Sequence, residues 1–583
     1  MKMKNLFFSM LACTAFYACS SDEAVMVQQE QETPKVFTGD AAYMNIILSD
    51  AASGGTRASS PDNEFEYGTE AEKKVSTAHF YFYDKNGVYV SEAEVWNGGK
   101  ESDTNPDENI EFRSNTTIIL KGLTGKTYPQ YLVTVLNKDS KFVPGQNLDD
   151  MLTKLADADT TGIITENGFA MSTTSVANQA NLEGKYFVTE LSESNFSEEP
   201  INLKDENLKP VEIYVERLAA KVTLNIAQAL GEGAIKVDGK TLYPIKATVA
   251  GEDNELDNTI GSEVLYVNIL GWKLNATAKH SYMMKHLDET WSNDKLGFVW
   301  NSNDFHRSYW GASWVYGKNG FPVNASDVNA SNLLNYYNLD SNISNVGESA
   351  YCPENTNTSE IVSSHLNNAV TSILLKAEIC DKNGKPLNLV RYNGMLFNEG
   401  HFRNYIIASL DRANKLNVYY DNGSDDEAAR YVQIDSSFVE LASAGNGKVK
   451  VVLKSETGKT FTDSKGNPLS EEDLKAFAND LAEESGNATG YKGGLMYYNI
   501  PIEHLNNNKN EEVDGKTIIP EGKYGVVRNH HYVVNVNKLE NPGVGIFDPN
   551  EVIIPNEDPE KFYYVGAQIN ILSWKIVDQN VEL

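Results

Sequence analysis

Ala42-Tyr43-Met44-Asn45-Ile46-Ile47-Leu48 alternates along its length, with Ala42, Met44, Ile46 and Leu48 on one parity. Successive side chains of a strand point to opposite faces, so this parity lines a single apolar face. The pattern returns near the other end of the chain as Ala567-Gln568-Ile569-Asn570-Ile571-Leu572. Ala, Asn and Ile coincide, and the apolar positions on the shared face match. Two strands with one pattern can fill one groove. The pair therefore predicts an exchange in which the leading strand vacates a groove of its own copy and the tail of another copy enters. Each emptied pocket drives refilling, because burying an aliphatic side chain is worth roughly 1.5–3 kcal/mol. This is strand addition in its donor form, and it also closes an exposed sheet edge. A second echo sets Asn268-Ile269-Leu270-Gly271-Trp272-Lys273-Leu274 against Asn570-Ile571-Leu572-Ser573-Trp574-Lys575-Ile576. That one reads as ordinary packing, since a Trp ending a strand is most often core.

On either side of the leading strand the chain changes character. Ser53-Gly54-Gly55-Thr56-Arg57-Ala58-Ser59-Ser60-Pro61 is a flexible stretch with one Arg, the kind of backbone a protease binds extended. Composition alone makes Arg57 a solvated loop charge. Before the strand, residues 20–40 are polar and read as a tether. Lys2 and Lys4 precede a short apolar run, 6–18, too short to span a bilayer. The run ends at Ala18-Cys19-Ser20-Ser21-Asp22-Glu23, which looks like the acylation site of a bacterial lipoprotein, with Cys13 as the second choice. Residues 1–18 are thus read as a signal peptide and 19–57 as a tether plus removable strand.

The remainder is punctuated by short strands. Residues 75–83, 116–120 and 131–136 carry strand patterns, 149–155 a short helix, and 58–208 reads as a first, mostly β domain. A second domain, 209–540, opens on the apolar run 211–224 and continues with strands at 243–249, 264–270, 373–379, 449–453 and 532–536. Residues 275–370 read as loops over a strand framework, and 470–484 as a helix capped by Ser470. Residues 541–583 read as an acidic Pro-rich spacer and a terminal strand. In that strand Val565, Ala567, Ile569 and Ile571 share a face. Leu572, Trp574 and Ile576 take the other parity, which predicts a bulge or bend.

Bulk properties bound the function. The chain has 583 residues, too many for one ordinary core. Its net charge of -31, from 81 acidic against 50 basic residues, argues against nucleic acid and an anionic membrane surface as partners. Tyr (30) far outnumbers Trp (7), and Asn and Gly are frequent, which favours strands and turns. Beyond the two candidate acylation sites only Cys352 and Cys380 remain, and they read equally as a bonded pair or as two buried thiols. No catalytic or phosphate-cradling motif is present. His530-His531 would point to opposite faces of a strand and chelate one metal poorly. The reading is a non-enzyme without cofactor. Tyr309, Trp310, Trp314 and Tyr316 form the one aromatic group that could stack on sugars, though such groups are more often core or loop anchors.

Taken in order, these segments resemble the fimbrillins of Bacteroidales type V pili, in the minor-fimbria (Mfa-like) branch. The resemblance covers nearly the whole chain. It rests on the lipoprotein start, Thr56-Arg57-Ala58, Val215-Glu216-Arg217-Leu218-Ala219-Ala220-Lys221 and Gly271-Trp272-Lys273-Leu274. Arg307-Ser308-Tyr309-Trp310, Tyr351-Cys352-Pro353-Glu354-Asn355-Thr356, Val527-Arg528-Asn529-His530-His531-Tyr532 and the final strand with Trp574 extend it. It implies two transthyretin-like β-sandwich domains, acylation at Cys19 and cleavage between Arg57 and Ala58 by an Arg-specific protease. It further implies loss of the strand carrying Ala42, Met44, Ile46 and Leu48, and a donor strand carrying Val565, Ala567, Ile569, Ile571 and Trp574. The implied partners are other copies, related anchor and tip subunits, and a host or bacterial surface receptor, with membrane contact only through the precursor's lipid. The implied place is a fimbrium on the cell surface, with the precursor held at the outer membrane, and a role in adhesion and biofilm formation. The leading reading is a stalk subunit; the alternative is a tip or accessory adhesin binding a glycan or protein. Insertions around 275–350 and 420–520 depart from the family's length.

Overall fold

The computed structural model describes residues 35–50, 68–94, 100–101, 113–157, 162–175, 185–200, 210–231, 233–245, 247, 249–250, 264–287, 310–322, 332–455, 458–504, 510–555, 572–573 and 575–582. Cys19, Arg57, Ala58, Val565, Ala567, Ile569, Ile571 and Trp574 lie outside the described residues.

The leading stretch forms β1 (Ala41–Asp50). Runs of aromatic and β-branched residues make β2 (Ala78–Tyr83), β3 (Tyr89–Glu94), β4 (Arg113–Lys121), β5 (Tyr131–Leu136), β6 (Met171–Thr173) and β7 (Val211–Arg217). These lie in one mixed sheet in the order β3-β2-β5-β6-β7-β1-β4. Phe80, Phe82, Leu132, Ile118 and Ile213 pack together beneath it. Two short helices flank it. One, α1 (Glu70–Lys73), starts on a capping box formed by Thr69 and Glu72. The other, α2 (Leu148–Leu152), is capped by Asn147 and overlaps the stretch read as helical, 149–155, starting one residue earlier and ending three earlier.

After Leu218 the main chain changes sheets. Strand β8 (Ala219–Ile226) follows β7 directly but pairs elsewhere. The sequence reading starts the second domain at 209, yet 211–217 pairs inside the first sheet. The cause is a run long enough to serve two cores. Val211, Ile213 and Val215 enter the first, and Ala220, Val222 and Leu224 the second.

The second unit adds β9 (Leu265–Asn275), β10 (Ser349–Pro353), β11 (Ser372–Cys380), β12 (Leu495–Pro501), β13 (His530–Lys538) and β14 (Lys575–Glu582). One sheet runs β10-β8-β13-β14, and Leu572–Ser573 pairs beyond β14. The other runs Ile235–Val237, Lys240–Ile245, β9, β11, β12 and Val544–Gly545. Val222, Trp272, Leu375 and Tyr532 fill the space between them, a β-sandwich core. Trp272 is fully buried, as a core strand requires. The strand bulges between Ile269 and Gly271. Gly271 sits at φ +144°, and a Cβ there would lie 2.4 Å from Ile343 Cγ2 and 2.7 Å from the Ser344 carbonyl oxygen.

A third core draws on residues 390–488 and so begins ahead of the insertion read at 420–520. Helices α4 (Glu399–Arg412) and α5 (Glu471–Ser485) pack Phe402, Ile406, Leu410, Phe477 and Leu481 against Val449 and Val451 of a small sheet. Ser470 caps α5 as read from the sequence, accepting from the Asp473 amide. Two expectations need correcting. Residues 275–370 are not only loops, since they carry β10 and α3 (Ser359–Ala369), whose Ile361 and Val362 are buried. Residues 541–555 are not a free spacer. Ile546, Ile553 and Ile554 are buried, and Val544–Gly545 pairs with β12, so three isoleucines override the acidic, Pro-rich composition. Cys352 on β10 and Cys380 on β11 belong to different sheets, and both are free. Burial pushes each thiol up to about 12.

Candidate functional site

The leading strand lies inside its sheet, between β7 and β4. It runs parallel to β7 from Ile46 opposite Val211 to Asp50 opposite Val215. It runs antiparallel to β4 from Ala41 opposite Lys121 to Ser49 opposite Arg113. Ala42, Met44 and Leu48 are 0% exposed and Ile46 is 1%, so the predicted apolar row fills the core. Met44, Ile46 and Leu48 together contribute about 5–9 kcal/mol by burial. A whole domain is stable by only about 5–15 kcal/mol. The strand thus supplies a share of stability that its sheet can lose only if something refills the space.

Ahead of β1 a second set of contacts holds residues 35–43. Phe37 packs in the same core, its ring 3.9 Å from that of Tyr128. The Glu198 carboxylate accepts from the Thr38 amide (3.1 Å), the Thr38 hydroxyl (2.5 Å), the Gly39 amide (2.7 Å) and the Tyr128 hydroxyl (3.1 Å). The Thr38 hydroxyl and these amides hold its pKa down at about 2. Tyr43 and Ser197 exchange main-chain hydrogen bonds at 2.8 and 2.9 Å, and Lys35 pairs with Glu193 at 2.9 Å. On the outer face of β1 the Thr117 hydroxyl donates to Asn45 Oδ1 at 2.7 Å.

At the other terminus, β14 lies parallel to β13, from Lys575 opposite His530 to Glu582 opposite Lys538. This described part of the tail extends the C-terminal sheet of its own chain. Leu572 turns back to pair with Ile576 beside the predicted bend.

Between the two units sits a cluster that the sequence reading missed. Lys285 and Glu216 form an ion pair with both side chains 1% exposed, and Arg528 pairs with Glu354 at 0% and 1%. Arg528 also donates to the Tyr282 carbonyl (2.7 Å). Lys221 Nζ lies 3.1 Å from Glu72 Oε1, which accepts from the Tyr351 hydroxyl at 2.5 Å. Burial raises the Glu72 carboxyl, but the Tyr351 hydroxyl, the Thr69 amide and Lys221 outweigh it and leave the pKa lowered. Burial pulls the Lys285 ammonium down. Residues His280–Tyr282 also pair with Leu155–Asp157, a two-stranded ladder across the same junction. One signal was available: Glu216 and Arg217 at the end of β7 and Lys221 in β8 are charged residues within a largely apolar run. Their partners lie far along the chain.

The aromatic group does not form an open platform. Trp310 is 0% exposed, and Trp314 is covered by Lys318 (3.9 Å to the ring centroid) and edge-on by His280 (4.5 Å). The Tyr316 hydroxyl donates to Glu521, and Tyr309 lies outside the described residues. His531 bonds to Thr223 (2.8 Å), and His530 to the Arg528 carbonyl (2.8 Å). Among the described residues no group of three or more His, Cys, Asp or Glu side chains could hold a metal, and no helix is long and apolar enough to cross a membrane.

Residues 489–580 match the family model described as major fimbrial subunit protein type IV, fimbrillin, C-terminal. The matched stretch includes β12, β13 and the tail as far as residue 580, and it accords with the resemblance read from the sequence. No curated protein matches the chain. Among solved structures, a fimbrilin from Porphyromonas gingivalis W83 aligns over 92% of this chain and 97% of its own, at 12% identity and a TM-score of 0.31. The tip fimbrial protein Mfa3 from Porphyromonas gingivalis, solved with a C-terminal truncation, aligns over 60% of this chain and 83% of its own, at 15% identity and a TM-score of 0.24. A fimbrial assembly protein from Parabacteroides distasonis aligns over 72% and 98%, at 10% identity and a TM-score of 0.25.

Proposed function

We propose that this chain is a structural subunit of a cell-surface fimbria, exported as a lipoprotein acylated at Cys19, matured between Arg57 and Ala58, and polymerised by donor-strand exchange into the stalk. One observation carries the reading. The leading strand fills a core groove between β7 and β4 with Ala42, Met44, Ile46 and Leu48. The tail repeats that pattern in Ala567, Ile569 and Ile571.

The chain's own residues set the steps. While β1 is in place the groove is closed, so the precursor stays single. Cutting after Arg57 by an Arg-specific protease turns the strand from an internal segment into a separable peptide. Its departure exposes main-chain donors and acceptors on both flanking strands, together with an apolar trough. The tail of a neighbour satisfies both at once. Related anchor and tip subunits would join through the same trough, and the precursor's lipid would be the only tie to the outer membrane.

N-terminal sequencing of sheared surface filaments tests this. Mature subunits should begin at Ala58, and Arg57→Ala should leave monomeric, lipidated precursor. Residues 20–56 still attached to polymer would end the proposal.

A further inference from the structure

Two kinds of chemistry hold β1. Its inward row is apolar, while its outward face carries Asn45, 7% exposed and opposite Thr117, whose hydroxyl donates to it at 2.7 Å. The alternation rules out a one-residue slip, because every side chain would change face. A two-residue slip keeps the parity and is not ruled out.

For the tail of a second copy, two registers satisfy the alternation. In the first, Ala567, Ile569 and Ile571 take the places of Ala42, Met44 and Ile46, and Asn570 comes opposite Thr117. In the second, Val565, Ala567, Ile569 and Ile571 take the places of Ala42, Met44, Ile46 and Leu48, and Gln568 comes opposite Thr117. The Ala42 site is fully buried and sized for a methyl group, so Val565 overfills it. Ala567 in the Met44 site leaves a void. Against the first register, Ser573 falls in the Leu48 site. The volumes therefore discriminate incompletely, and the polar pair decides. Asn570 presents the same carboxamide as Asn45 at the same reach, whereas Gln568 is one methylene longer.

We propose that Thr117 is the specificity-determining residue of the groove. It pins the register of any strand that enters by bonding an asparagine, Asn45 of its own chain before maturation and Asn570 of a neighbouring copy afterwards. This rests on the strand-exchange reading. One side-chain hydrogen bond corresponds to a roughly two- to tenfold preference between registers.

Two double-cysteine proteins test it while keeping Thr117, Gln568 and Asn570. Asn115 lies opposite Ile47 and Ile119 opposite Tyr43, and both are exposed on β4. Asn115→Cys with Leu572→Cys reports the first register, and Ile119→Cys with Gly566→Cys the second. Filaments sheared from cells are treated with a short thiol crosslinker and resolved on a denaturing gel. A ladder of linked subunits about two- to tenfold stronger from the first protein than from the second is expected. A ladder from the second alone overturns the register. No ladder from either, with filaments present, overturns strand exchange itself. Adding Thr117→Val to both proteins should lower the ratio of first to second ladder two- to tenfold. An unchanged ratio leaves the register standing and removes Thr117 from it.

Discussion

Glu198 shows how one side chain can hold a whole segment. Its carboxylate, kept charged down to about 2, gathers donors from Thr38, Gly39 and Tyr128. A carboxylate whose folded pKa is depressed stabilises the folded state above its unfolded value, near 4.3, and loses that contribution as pH falls toward about 2. Amide hydrogen exchange at Thr38 and Gly39 should therefore quicken as pH drops through 4 to 2, beyond the intrinsic pH effect. In Glu198→Gln it should be fast at neutral pH with that dependence gone; unchanged protection in the variant would refute the latch. Lys285 is a harder case. Lys285→Met leaves Glu216 charged, buried and alone, which costs about 3–5 kcal/mol. Chemical denaturation should show that loss, and Glu216→Leu added to it should restore most of it. A loss under 1 kcal/mol would mean that water reaches the pair. These junction charges were barely legible beforehand. Glu216 and Lys221 stand out in the largely apolar run of β7 and β8, but nothing local names Lys285 or Glu72 as their partners, because folding alone brings them together.

At the scale of the element, β1 was legible because its period of two is strict and its inward positions are all apolar. Ile46→Ala tests its weight. The site is 1% exposed, so the cavity and lost transfer energy should cost about 2–5 kcal/mol in precursor melted with the strand in place. In mature protein, which under strand exchange has shed residue 46, the change should be silent. An equal loss in mature subunits would show that the strand never leaves. Helix α5 was legible too, since Ser470 and Asp473 reciprocate as a cap ahead of Phe477 and Leu481. Helix α4 was missed although Phe402, Ile406 and Leu410 repeat at helical spacing. Asn398 makes no side-chain cap bond there, and the flanking strands Leu389–Tyr392 and Met395–Asn398 blur the start. Helix α3 was hidden by polar residues and by a break in its dihedrals at His365. The spacer reading of 541–555 failed for the opposite reason. Proline and acid dominate its composition, but Ile546, Ile553 and Ile554 decide where it lies.

In the whole molecule, the uninterrupted passage from β7 to β8, the short ladder from residues 155–157 to 280–282 and the buried ion pairs tie two cores into one unit. Calorimetry should record one cooperative transition for both, with the Lys285→Met protein splitting into two; two transitions in the unaltered protein would show the junction to be weak. Cutting back the tail addresses the other end. Removing residues 563–583 should leave folded protein that builds no filaments, and normal filaments from that deletion would contradict the donor role. The passage at Leu218 also bears on mechanics. Traction on a fibre built by strand exchange enters a subunit along the borrowed strand, lengthwise to β7, crosses to the second sheet through β8, lengthwise to β13, and leaves along the donated tail. Such a pull shears a row of hydrogen bonds all at once, where a sideways pull would peel them one after another. A filament assembled in this way should stretch little and part at high force, which suits an appendage that works under flow.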